Sequence, residues 1–159
     1  IEKLRARIPD IAIRTTLIVG FPGETEEAFE ALMDFVKWAR IDKLGVFPYS
    51  QEEDTPAALL PDQIEDEVKI ERRDRIMALQ MQISGELMAA RVGQTLEVLI
   101  EEPVEGEAVY IGRTPYDAPE IDGVVYVNVP EGVVLEPGTY VQVKIKDAME
   151  YDLIGDVVQ

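Results

Sequence analysis

The sequence predicts two parts in series: an α/β segment built on parallel strands, then an all-β barrel of five short strands. Three observations lead to this. Residues 11–49 read as strand, helix and strand, and a connection of that length makes a parallel βαβ unit. Residues 61–91 carry apolar side chains at helical spacing. From Gly93 onward the period changes to alternation, in runs separated by Gly- or Pro-bearing turns.

Taken in order, residues 1–7 have helical composition with no capping residue and no initiator Met ahead of them, so they read as a helix entered partway along. We expect a fragment of a longer chain on that ground. Residues 11–19 form a β-branched run that contains Arg14, Thr15 and Thr16 and ends at Gly20-Phe21-Pro22-Gly23, a strand followed by a turn. A helix opens at Glu24-Thr25-Glu26-Glu27. Thr25 is its expected N-cap, acids sit at the positive end of the dipole, and Phe29, Leu32, Met33, Val36 and Ala39 share one face. A short strand at 44–49 closes the βαβ unit, whose ligand groups are expected at the carboxyl ends of the strands.

After a polar loop at 51–60, Pro61 suits the first turn of a long helix, expected to run to Arg91 and stop at Gly93. Ile64, Val68, Ile76, Leu79, Ile83 and Leu87 line its expected inner face, with Glu65–Lys69 and Glu71–Arg75 as i,i+4 pairs. Strands are expected at 95–100, 108–112, 124–129, 140–146 and 153–157. Five short strands in about 65 residues suggest a closed or nearly closed barrel, the smallest arrangement without a long open edge. The domain division expected is 1–60, a linking helix at 61–92, and a barrel at 93–159.

Composition narrows the function. The 159 residues include no Cys and no His, which removes disulfides, thiolate nucleophiles, Cys/His metal sites and imidazole acid–base catalysis. No apolar stretch approaches the roughly 18 residues of a membrane span and no secretory segment is visible, so no membrane partner is expected and the cytoplasm is the expected compartment. Thirty-two acids against 15 bases give a net charge of −17. From Gly93 on there are 14 acids and 3 bases, so the acidity concentrates in the barrel, and nucleic acid is an unfavourable partner there.

Four motifs invite a chemical reading. Gly20-Phe21-Pro22-Gly23-Glu24-Thr25 joins strand to helix where N–H groups meet anions, yet it has no Walker lysine and three glutamates would repel phosphate, so a tight βα turn is the plainer account. Arg14 in an apolar strand is either a ligand carboxylate contact or a structural ion pair. Glu52-Glu53-Asp54 lacks the alternating ligand pattern of an EF-hand and reads as a solvated loop. The segment 112–123, with two prolines, three acids and Arg113, is a binding loop or an ordered connection in which Arg113 pairs with Asp117 or Asp122.

Two sets of motifs resemble one family. Residues 14–25, Arg-Thr-Thr-Leu-Ile-Val-Gly-Phe-Pro-Gly-Glu-Thr, together with Gly45-Val46-Phe47-Pro48-Tyr49-Ser50 and Glu53-Asp54-Thr55-Pro56-Ala57, are similar to the end of the radical S-adenosylmethionine core of methylthiotransferases. The barrel resembles their C-terminal TRAM domain. Asp117-Ala118-Pro119-Glu120-Ile121-Asp122-Gly123 after Gly112-Arg113 is similar to the RimO-type branch, which methylthiolates an aspartate of ribosomal protein S-twelve. The branch that modifies tRNA is less acidic there.

The resemblance implies a parent enzyme with S-adenosylmethionine and two [4Fe-4S] clusters, whose last barrel strands are residues 14–20 and 45–49. It implies Arg14, Thr16, Gly20 and Phe47 on the cofactor side, and Arg113, Asp117, Glu120 and Asp122 facing the basic substrate protein. The sequence departs from the family by having no Cys, so no cluster is expected on this chain and no catalysis by it alone. Tyr110, Tyr126 and Tyr140 are the residues that would stack bases if the barrel bound RNA. The alternatives are a tRNA methylthiotransferase with an RNA-binding barrel and a non-enzymatic acidic adaptor for a basic protein. A lost parallel neighbour of the first strand would leave an edge open to self-association.

Overall fold

A computed structural model describes residues 1–158. It comprises two compact units, Ile1–Ile83 and the remainder from Ser84. In the first unit the order is α1 (Glu2–Arg7), β1 (Arg14–Val19), α2 (Glu26–Ala39), β2 (Lys43–Pro48), a 3₁₀ turn (Pro56–Leu59) and the greater part of α3 (Asp66–Ala89). Strands β1 and β2 pair in parallel, with Thr16 opposite Gly45 and Ile18 opposite Phe47. Among the described residues no third strand joins them.

Strand alternation sorts this sheet into two faces. Val19, Leu44 and Val46 are buried and share the core with Phe29, Val36 and Ala39 of α2 and Ile76 and Ile83 of α3. Arg14, Thr16, Ile18 and Phe47 lie exposed on the other face. Thr25 caps α2 as expected, its Oγ1 accepting from Ala28 N at 3.2 Å. The helix begins at Glu26, the residue after its cap, and Glu24 folds its carboxylate back onto Gly20 N at 3.0 Å.

The long helix differs more. It starts at Asp66, five residues beyond Pro61, because Gln63 Nε2 donates to Ala57 O and Leu60 O and holds the approach in an irregular turn. Its buried residues are Lys69, Arg72, Ile76, Gln80, Ile83 and Ser84, four of them polar. The expected i,i+4 pairs give way to others: Lys69 Nζ bonds Asp66 at 2.8 Å, and Arg75 reaches Glu26 and Glu30 on α2. For Arg75, bonds across to a packed helix order a long side chain better than a pair along one exposed face.

The second unit is a closed barrel. Strands β3 (Thr95–Pro103), β4 (Val109–Arg113), β5 (Val125–Asn128), β6 (Tyr140–Ala148) and β7 (Leu153–Val157) follow the spatial order β3-β4-β5-β7-β6, and β6 closes onto β3. All pairs are antiparallel except β5 with β7. Bulges between Ile100 and Glu102 and between Ile145 and Asp147 bend the two nine-residue strands around the barrel, which is why they run past the ends read from alternation. Leu96, Val98, Ile100, Val125, Val127, Val143, Ile145 and Leu153 fill the interior.

Candidate functional site

In the first unit, the exposed face of the β1–β2 sheet carries three of the residues picked from sequence, with Arg14 at the amino end of β1, Thr16 in its middle and Phe47 near the carboxyl end of β2. Arg14, Thr16 and Phe47 lie on one exposed sheet face because two-residue spacing puts Arg14 and Thr16 on the same side and the register places Phe47 beside Ile18. Gly45 lies between them, and sequence reading did not single it out as a site residue. A Cβ there would stand 3.7 Å from both Thr16 Oγ1 and Phe47 Cε2, so the glycine leaves a shallow notch with a hydroxyl on one side and a ring on the other. A glycine in a strand interior was the available signal.

Gly20 has a different part. Its φ is +71° and a Cβ would come within 2.3 Å of Lys69 Cγ, so only glycine lets the turn close over the α3 side chain. The turn is then fixed by charge. Arg72 is buried and its Nη1 donates to Glu24 Oε1 at 2.7 Å and to Glu24 O at 3.0 Å, while Nη2 reaches Glu26 at 3.3 Å. The Glu24 carboxylate that sequence reading took as repelling phosphate is instead consumed by Gly20 N and Arg72. Beside it, a cavity of about 460 Å³ is lined by residues that include Tyr49, Gln51, Asp66 and Lys69. Phe21 packs edge-on to Tyr49 at 5.2 Å, and Lys69 Nζ sits 5.5 Å from the Tyr49 ring centre.

In the second unit, the loop between β4 and β5 is ordered by its own acids. Thr114 N and Oγ1 both donate to Asp117 Oδ2, the first at 3.3 Å and the second at 2.5 Å, and Ala118 N donates to Asp122 Oδ2 at 2.6 Å. These two carboxylates therefore build the loop, whereas Glu120, at φ +63°, and Ile121 are exposed at its tip. Arg113 Nε donates to Glu101 Oε1 at 2.6 Å across the β3–β4 ladder.

The other barrel cations are engaged as well: Lys146 with Asp156 at 3.4 Å, Lys144 with the Gly93 carbonyl, and Arg91 over the Tyr116 ring at 4.5 Å. The tyrosines do not form one stacking platform. Tyr110 is buried and its hydroxyl accepts from Leu135 N at 3.1 Å, while Tyr140, on β6, is exposed. Among the described residues no cluster of acids forms a metal site, and no helix is long and apolar enough to cross a membrane.

Comparison with known proteins places these units. Residues 92–158 match the TRAM domain family. Over 158 residues the chain is 56% identical to the ribosomal protein uS12 methylthiotransferase RimO of Clostridioides difficile (strain 630), covering 99% of this chain and 35% of that protein. It is 55% identical over 159 residues to the RimO of Desulfitobacterium hafniense (strain Y51), covering 100% and 35%, and 55% identical to that of an Anaeromyxobacter species (strain Fw109-5), covering 99% and 33%. The chain belongs to the RimO-type methylthiotransferase family. It spans about a third of the length of these relatives, and the match runs over nearly all of this chain, the α/β unit as well as the TRAM barrel.

Proposed function

We propose that this chain is the part of a ribosomal protein S-twelve aspartate methylthiotransferase that completes the cofactor barrel and presents the substrate protein, with the functional division 1–60, 61–92 and 93–159, in the cytoplasm. The observation that carries the substrate half is the state of the barrel's cations. Arg113, Lys144 and Lys146, the bases from Gly93 on, all have acceptors within the barrel, against 14 acids. A phosphate backbone would meet acids first, and a Lys/Arg-rich surface would meet its complement.

On the cofactor half, the sheet face fits S-adenosylmethionine. Arg14 offers a cation for a carboxylate, Thr16 a hydroxyl, Gly45 a notch, and Phe47 a ring face for an adenine or a sulfonium, while Gly20 holds the turn that ends β1. When bound, S-adenosylmethionine supplies the radical and methyl chemistry. The residues of this sheet face bind and orient it. The clusters do not fit: iron–sulfur ligation needs thiolates, and the sequence has no Cys, so their ligands belong to other parts of the parent enzyme and the chain alone is inactive.

Titration of the chain with purified ribosomal protein S-twelve at rising salt tests the substrate half. Affinity should fall steeply with ionic strength, and the Glu120→Lys, Glu150→Lys double variant should bind more weakly without loss of fold. Binding that ignores both salt and charge reversal would overturn the proposal.

A further inference from the structure

Three apolar side chains of the barrel unit stand outside its core and on neighbouring segments. Ile121, at the tip of the β4–β5 loop, is 76% exposed, and Met149 and Tyr151, in the β6–β7 turn, are 48% and 45% exposed. One side-chain and one backbone hydrogen bond hold these segments together. Val124 N donates to Asp152 Oδ1 at 2.8 Å and Leu153 N donates to Val124 O at 2.9 Å. A Cβ at Gly123 would stand 2.0 Å from the Tyr151 carbonyl oxygen, so only glycine lets the loop lie against the turn. Ile121 is two residues from Gly123, its Cα within about 7.6 Å of it. Met149 N donates to Asp152 O at 2.8 Å, which closes the turn and holds Met149 and Tyr151 on it.

We propose that Ile121, Met149 and Tyr151 form one docking patch for a basic polypeptide segment that carries an apolar side chain among its Lys and Arg residues. This rests on the reading of the barrel as the contact for a basic protein and adds an apolar anchor and the β6–β7 turn to it. Charge selects the occupant. The two segments expose Glu120 on one side and Asp147 and Glu150 on the other, and their one base, Arg113, is paired with Glu101. RNA and anionic lipid are repelled by such a rim, and so is the same acidic rim of a second copy. A basic segment places its cations on the rim and its apolar side chain on the patch, the arrangement of an apolar centre with a polar surround that protein interfaces use.

The test uses the whole 159-residue chain and two synthetic Lys/Arg-rich peptides of equal charge, one with a central leucine and one with serine in its place. Titration calorimetry should give roughly tenfold tighter binding of the leucine peptide, the effect of burying most of one such side chain. The Met149→Ser, Tyr151→Ser double variant should lose that preference while holding the serine peptide as the unaltered chain does. Equal affinity of the unaltered chain for both peptides overturns the patch and leaves the charge reading standing, as does a preference that survives the double variant. Failure to bind either peptide overturns both.

Discussion

Arg72 ties the turn after β1 to the helix that follows β2. Its side chain is 7% exposed and that of Glu24, its partner, 13% exposed, so this is a largely buried pair whose value lies in not being broken. Arg72→Met leaves the Glu24 carboxylate buried with one donor, Gly20 N, and should destabilise the first unit by about 3–5 kcal/mol. Adding Glu24→Gln should recover part of that. Trp38 is the single tryptophan and lies in α2, so its fluorescence during urea unfolding reads this unit. Unchanged midpoints would show that the turn is held by packing alone. The contrast with Thr25 shows what sequence reveals. A cap lies three residues from its partner and was legible, whereas Arg72 and Glu24 are 48 apart and their pairing needed the fold.

At the scale of elements, alternation and capping made the strands, the α2 start and the barrel legible, and the inner face of α3 was not. An apolar stripe reads at once. A stripe of Lys69, Arg72 and Gln80 reads as surface until a turn, a carboxylate and the Ile41 carbonyl, which accepts from Gln80 Nε2, are seen opposite it. The α2–α3 contact also makes a pH prediction. The hydrogen bond from Arg75 holds the Glu26 carboxyl below its ordinary value of 4.5, with Arg72 adding to it against a desolvation cost, and Glu26 in turn raises Arg75. A lowered folded pKa gives stability that is present above 4.5 and lost as pH falls through the lowered value. The acid limb of Trp38-monitored unfolding should therefore flatten in Arg75→Met, and superimposable limbs would contradict this.

The β1–β2 sheet carries a second element-scale prediction. Ile18 and Phe47 are 58% and 59% exposed on one face, and among the described residues β1 pairs with β2 alone. An exposed apolar sheet with a free edge recruits further strands. The sedimentation coefficient of the chain should rise with concentration, and Ile18→Lys should suppress the rise. A concentration-independent monomer would count against the open edge.

For the whole molecule, sign of charge and topology act together. The barrel order was not legible, because the parallel β5–β7 pair joins strands far apart in sequence, but closure itself was, since five short alternating runs have few other ways to hide their edges. Of the loop acids, sequence could count Asp117 and Asp122 but not tell that their oxygens hold the loop, leaving Glu120 and its neighbours on the β6–β7 turn as the outward charges.

The central claim, that this barrel selects a basic protein over RNA, is tested most directly by fluorescence anisotropy of labelled tRNA and a labelled basic peptide from ribosomal protein S-twelve, each titrated with the chain at physiological salt. The account predicts a saturable rise for the peptide and a flat line for tRNA. Saturable tRNA binding at micromolar chain, with the peptide unbound, would contradict it and point to the tRNA-modifying branch.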